Sequence, residues 1–151
     1  MDWKIYLSGE IHSNWRDEVC ELVSLSGLNV IFYGPVTDHG ASDDCGKTIL
    51  GAETDKFWHD HKSAKINSIR TRKYISDADV VVVKFGEEYK QWNAAFEAGY
   101  AAALGKSLIL MHDKKFQHAL KEIDAVALAV IEESSQLVDM LKYVLTGKLD
   151  S

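Results

Sequence analysis

The sequence predicts an α/β fold: an open, five-stranded parallel sheet with helices on both faces. Three observations lead there. The run Val80 to Val83 is unbroken and β-branched, as expected of a strand buried on both faces in a parallel sheet. Four further short apolar runs alternate with helical stretches along the chain, the pattern of repeated strand–helix–strand units. No repeat, low-complexity tract or linker interrupts the 151 residues, so one domain covering 1–151 is expected.

The elements follow in order. Lys4 to Ser8 is the first strand, running into Ser8-Gly9-Glu10-Ile11-His12. Asn14 can cap the next helix, with Asp17 near the positive end of its dipole. Val19, Leu22, Val23 and Leu25 form the predicted buried stripe, and Gly27 ends the helix. Leu28 to Tyr33 is the second strand, stopped by Gly34 and the sole proline, Pro35. From Val36 to about Thr54 the chain is polar, acidic and aperiodic, and reads as a long loop, either functional or an ordered surface excursion. Lys56 to Ile75 reads as one long helix or two short ones, with Phe57, Ala64, Ile66 and Ile69 as apolar points and a basic remainder. Asp79 stands ahead of the Val80 strand and reads as an anchor for backbone groups.

Trp92 to Leu104 has helical composition, and Gly105 stands where a left-handed C-cap would. Leu108 to Met111 is the fourth strand, Lys114 to Leu120 a short helix and Ala125 to Ile131 a fifth buried strand. The last helix, Ser134 to Leu145, buries Leu137, Val138, Leu141 and Val144, with Gly147 beyond its end. Right-handed crossovers give the order 2-1-3-4-5, a flavodoxin-like or Rossmann-like three-layer sandwich. Its winding reverses between the first and third strands, and ligands sit beyond the strands' carboxyl ends at such a point. Those ends are Ser8 to His12 and Phe85 to Glu88, and both lead towards the helix that carries Glu97.

Glu97 is the one acid in an alanine-rich helix. At 100° per residue it shares a face with Lys90, Asn93, Ala94, Tyr100, Ala101 and Leu104. The opposite face carries Ala95, Gly99 and Ala102, small enough to lie close on a sheet. Burying an unpaired carboxylate costs several kcal/mol, so such an acid reads either as a solvated surface group or as one in use. Asn93, one turn earlier, is placed to hold the carboxylate by hydrogen bonding.

Other motifs weigh less. Gly46-Lys47-Thr48 lacks the glycine five residues earlier that a phosphate loop needs, where Ala41 stands, and Asp43 and Asp44 would repel an anion. In His59-Asp60-His61 the two imidazoles would point apart on a helix, and Asp55 with His59 lacks a third ligand. Asp38, His39, Asp43 and Asp44 match no known cation loop. No metal and no cofactor is called for.

Composition is that of an ordinary globular protein, 46% hydrophobic and 26% charged. A formal charge of −6 argues against a general nucleic-acid partner. The start of the chain shows no basic-then-apolar leader, no run approaches a membrane span, and Cys20 and Cys45 form no framework. The expectation is a cytoplasmic protein with no membrane partner.

Two stretches carry a resemblance. Lys4 to Gly9 (Lys-Ile-Tyr-Leu-Ser-Gly) and Glu97 to Lys106 (Glu-Ala-Gly-Tyr-Ala-Ala-Ala-Leu-Gly-Lys), the latter after Ala-Asp-Val-Val-Val-Val, resemble the nucleoside 2-deoxyribosyltransferase family. Gly34 to His39, Ser42 to Gly46 and Tyr89 to Phe96 are similar to its YtoQ group, and that likeness covers nearly the whole chain. The resemblance implies cleavage of the N-glycosidic bond of a (deoxy)nucleoside or nucleotide, by transfer or hydrolysis. Glu97 would be the nucleophile, and Tyr6 would orient it. Ser8, Gly9, Glu10, His12, Asp38, Gly86, Gln91, Asn93 and Arg72 are the candidate substrate-binding residues. Where related transferases place aspartates, this chain has Gln91 and Thr71-Arg72, leaving Glu10, His12, Asp38 and Glu88 as candidates for the leaving-group acid. Arg70 and Arg72 read first as a solvated basic helix face and second as holding a phosphate on the substrate, since arginine suits bidentate phosphate recognition. A non-catalytic nucleotide-binding module and a nucleoside-monophosphate hydrolase are the alternatives. The family also implies a homo-oligomer, at least a dimer, into which the small residues of the Glu97 helix would fit.

Overall fold

The computed structural model describes residues 2–88 and 90–149; Tyr89, at the head of one resembling stretch, lies outside them. The chain divides into two compact units, Met1–Tyr33 with Ala78–Ser151, and Gly34–Asp77. The first unit holds the sheet. Its strands are β1 (Trp3–Gly9), β2 (Val30–Tyr33), β3 (Val80–Lys84), β4 (Ser107–Met111) and β5 (Ala129–Ile131), and its helices are α1 (Trp15–Leu25), α4 (Trp92–Ala103), α5 (Lys121–Asp124) and α6 (Ser134–Thr146). Between them in the chain, the second unit holds α2 (His39–Leu50) and α3 (Lys56–Asp77). All pairings are parallel, in the order β2-β1-β3-β4-β5, so the predicted fold class and strand order are observed.

Strand alternation sorts the two faces. Ile5, Leu7, Val80, Val82, Ile109 and Met111 pack with Trp15, Val19 and Val23 of α1 and Leu137, Val138 and Leu141 of α6. Tyr6, Ser8, Val81, Val83, Leu108 and Leu110 point the other way, towards α4. Every β3 valine is buried, as a central strand requires. Asp79 ties the first and third strands where they begin: its carboxylate accepts from the Lys4 amide at 2.8 Å, and its own amide donates to the Lys4 carbonyl at 2.8 Å.

Several boundaries differ from expectation. The supposed loop from Val36 to Thr54 contains α2. Asp38 caps it by accepting from the Ala41 amide at 2.8 Å, which supplies one of the helix's orphan donors. Its periodicity is invisible because α2 and α3 meet through small and polar groups. The Gly46 amide donates to Ser63 Oγ, the Ser63 hydroxyl donates to the Asp43 carbonyl, and Asn67 donates to the Ser42 carbonyl. The basic stretch that follows is the single helix α3. β5 is three residues rather than seven, because Ala125 to Ala127 close turns onto α5. It is an edge strand with only Ile131 buried. The helix expected at Lys114 to Leu120 is a single 3-10 turn, Lys114–Phe116, ahead of α5. Leu25 lies outside the α1 stripe, which Trp15, Val19 and Val23 form. Asn14 precedes α1 but makes no side-chain cap.

α4 also seats differently. Ala94, Ala98 and Ala101 are the buried face, not Ala95, Gly99 and Ala102. The alanines let the helix lie close on the sheet, and Glu97 flanks them, half-buried. Trp92 and Phe96 are exposed on the far side.

Gly9 shows how tightly the carboxyl end of β1 is built. Its φ is +102°, and a Cβ there would run into the Lys84 carbonyl oxygen. Gly9→Ala therefore carries both left-handed strain and a backbone clash, and should lower stability by about 2–3 kcal/mol. Urea unfolding monitored by circular dichroism is the check.

Candidate active site

The carboxyl end of β1 is held by two residues of the first turn of α1. Trp15 Nε1 donates to the Glu10 carbonyl at 2.7 Å. The Arg16 guanidinium spans three carbonyls, donating from Nε to Leu7 at 3.0 Å and through its two terminal nitrogens to Glu10 at 2.6 Å and Gly9 at 3.1 Å. A cation in the first turn opposes the helix dipole, so these carbonyls and nearby anions must offset that. Burial pulls the Arg16 pKa below its ordinary value, and the charges of Tyr6, Glu10, Glu97 and Asp17 push back. The loop between β1 and α1 is closed by Glu10, buried, whose carboxylate accepts from the His12 amide and the Ser13 hydroxyl.

The loop after β3 is stapled by Gln91. Its side-chain oxygen accepts from the Gly86 amide at 3.0 Å, and its nitrogen donates to the Glu88 carbonyl at 2.9 Å. Gly86 has no room for a side chain, since a Cβ would meet Glu10 Cγ. Gln91 itself takes a left-handed conformation with φ of 49° immediately before α4, and so sets where that helix begins.

These constraints bring two groups together across the sheet–helix gap: the Ser8 hydroxyl donates to Glu97 Oε2. Ser8 is fully buried, and so is Tyr6, two residues earlier on the same face of β1. Burial pushes the Glu97 carboxyl above its ordinary value, while the Ser8 hydrogen bond and the Arg16 charge pull it back down. The arrangement is a half-buried carboxylate, desolvated yet steadied by one hydroxyl and one nearby cation. Such a group is poised to meet positive charge developing on a ligand.

Beyond the ends of β1, β3 and β4 an open cleft of about 400 Å³ is lined by Glu10, His12, Lys84, Gly86, Glu88 and His112, among others, and neither Ser8 nor Glu97 lines it. His112 is buried, with Nε2 2.8 Å from Asp124 Oδ1 and Nδ1 2.9 Å from the Asp113 carbonyl. Among the described residues no group of three or more His, Cys, Asp or Glu side chains is placed to hold a metal ion.

The predicted site residues thus fall into three sets. Ser8 and Glu97 are in direct contact, with Tyr6 buried beside Ser8. Glu10, His12 and Gly86 line the cleft, Gly9 lends its carbonyl to Arg16, and Gln91 is a staple. Asn93 is exposed, and the hydrogen bond expected of it comes to Glu97 from Ser8. Asp38 and Arg72 belong to the second unit, where Asp38 caps α2 and Arg72 is exposed on α3. There Arg70 donates to the Gly34 carbonyl at 3.3 Å and stacks on Tyr74, and His59 pairs with Asp44 at 3.1 Å.

Arg16 and Lys84 were not anticipated. Both carry a signal in the sequence: an arginine where a helix start favours acids, and a lysine ending a four-valine strand.

The raised Glu97 pKa has a consequence for stability. Its protonated form is favoured by the fold, so its contribution is fully present below the ordinary carboxyl pKa and is lost as pH rises through the raised value. Glu97→Gln keeps the neutral form throughout. It should melt higher than the parent at pH 7, and the gap should close as pH falls below about 4.5. Thermal melts across that range test the sign.

A family model described as nucleoside 2-deoxyribosyltransferase YtoQ matches residues 6–145. The chain is 40% identical over 144 residues to the "Uncharacterized protein YtoQ" of Bacillus subtilis (strain 168), covering 95% of this chain and 97% of that protein. A conserved protein from Enterococcus faecalis V583 superposes with a TM-score of 0.67 at 16% identity, covering 96% of this chain and all of that one. The 2-deoxyribosyltransferase from Bacillus psychrosaccharolyticus superposes with a TM-score of 0.52 at 17% identity, covering 90% of each chain. At these identities the two structures share the fold.

Proposed function

Because the chain belongs to the nucleoside 2-deoxyribosyltransferase YtoQ family, we propose that it cleaves the N-glycosidic bond of a (deoxy)nucleoside or nucleotide, with Glu97 as nucleophile. The observation that carries this is the Ser8–Glu97 pair: a desolvated carboxylate at the crevice where the sheet's winding reverses, balanced by Arg16.

The chemistry follows from that placement. As the bond between C1′ and the base nitrogen lengthens, its electron pair moves to the base and positive charge spreads over C1′ and the ring oxygen. Glu97 stabilises that charge and then closes on C1′ as an ester. The leaving base takes a proton from an acid or from water. In the second half, an incoming base or water attacks C1′ and the carboxylate is released. Ser8 holds one carboxylate oxygen in place, so that little orientation is lost as the bond forms. The Ser8 hydrogen bond and the Arg16 charge both favour the ionised carboxylate, and Arg16 with its three carbonyl bonds fixes the strand end from which Ser8 projects. Tyr6, buried on the same face of β1 two residues before Ser8, is the residue we assign to orienting the carboxylate.

Incubation with a 2-fluoro-2-deoxy-arabinosyl nucleoside and peptide mass mapping tests this. The expected result is the fluorosugar mass on the peptide holding Glu97, and loss of base release by about a thousandfold or more in Glu97→Gln. Binding without an adduct in the parent, together with full turnover by Glu97→Gln, would remove Glu97 as nucleophile. Release of free base without exchange selects hydrolysis over transfer.

A further inference from the structure

The cleft beyond the strand ends is lined by six carboxylates, from Glu10, Glu87, Glu88, Asp113, Glu132 and Glu133, yet nearly all of them are engaged elsewhere. Glu10 accepts from its own loop and lies in the field of Arg16. Glu87 pairs with Lys115, and Glu132 lies 3.4 Å from Lys114. Asp113 accepts from the Lys115 amide at 2.8 Å, and Glu133 closes a capping box at the start of α6. Glu88 is exposed to solvent. Against them stands one lysine treated differently. Lys84 ends β3 in register with Gly9 and is half-buried, with its ammonium 5.7 Å from the centroid of the Trp15 ring. Among the described residues no carboxylate lies within ion-pairing distance of it, and the Trp15 ring is its partner. A partly desolvated ammonium with open donors gains from an oxyanion, because charge-assisted hydrogen bonds are stronger where water is displaced. Trp15 is in turn fixed by its bond to the Glu10 carbonyl, which holds the aromatic platform under the lysine stem.

We propose that Lys84, resting on Trp15, is an anion-binding residue of this cleft and takes a carboxylate or phosphate oxygen of the bound ligand. Anion binding at Lys84 does not depend on Glu97 forming an ester. It also puts the anion-recognising charge at the end of β3 and not on Arg70 or Arg72.

Titration of inorganic phosphate, and separately of benzoate, into the full-length protein tests it. The readout is the indole N–H resonance of Trp15 in proton–nitrogen correlation spectra, together with calorimetric affinity. At least one anion should shift that resonance saturably. Lys84→Met should weaken its binding about tenfold or more, and Lys84→Arg should retain most of it. Glu97→Gln should bind like the parent, which separates this result from the trapping experiment. Saturation by phosphate alone or by benzoate alone identifies the oxyanion. Equal affinity in the parent and in a folded Lys84→Met, or no saturable shift with either anion, would overturn the proposal.

Discussion

The hydrogen bond from Ser8 to Glu97 is the contact on which the rest of the site depends. It joins two elements that the chain places 89 residues apart, and it forms only if each is seated correctly. Ser8 faces α4 because β1 holds its register against β3, with Ser8 opposite Val83; a slip of one residue would turn the hydroxyl to the other face. Glu97 reaches the hydroxyl because Ala94, Ala98 and Ala101 let α4 lie close on the sheet. Larger residues there would lift the carboxylate away. Gly9, Gly86, Gln91 and Arg16 then fix the two loops that follow β1 and β3.

The energetics of that pair set stability against readiness. Water around the carboxylate is largely replaced by alanine and sheet, which costs the folded state when Glu97 is ionised. One hydroxyl and one partly buried guanidinium return part of that cost. A fully compensated carboxylate, with several hydrogen bonds, would be more stable and less reactive. In the cleft, Glu87 and Glu132 pair with lysines, Glu10, Asp113 and Glu133 accept from amide or hydroxyl donors, and Lys84 is the lysine among its described lining residues.

Much of this was legible from residue patterns. The valine run of β3, the alternation of strands with helices and Gly105 in a left-handed C-cap required only local chemistry. The strand ends carrying the site followed from topology. The orientation of α4 did not follow, because small residues occur around most of that helix and a wheel cannot say which alanines meet the sheet. α2 escaped notice because it packs through Gly46, Ser63 and Asn67 rather than through an apolar stripe. The role of Arg16 was not legible, since its partners are backbone carbonyls that no sequence pattern displays. Of the residues expected around Glu97, Tyr6 is buried on β1 and Asn93 is exposed, while the hydroxyl that donates to the carboxylate is that of Ser8.

The titration of the Glu97 side-chain carboxyl, followed by its carbon-13 shift in the ligand-free protein, tests the central claim most directly. A midpoint above the ordinary glutamate value of 4.5, rising further in Ser8→Ala, is the expected result. A midpoint at or below 4.5, unmoved by loss of the Ser8 hydroxyl, would contradict it.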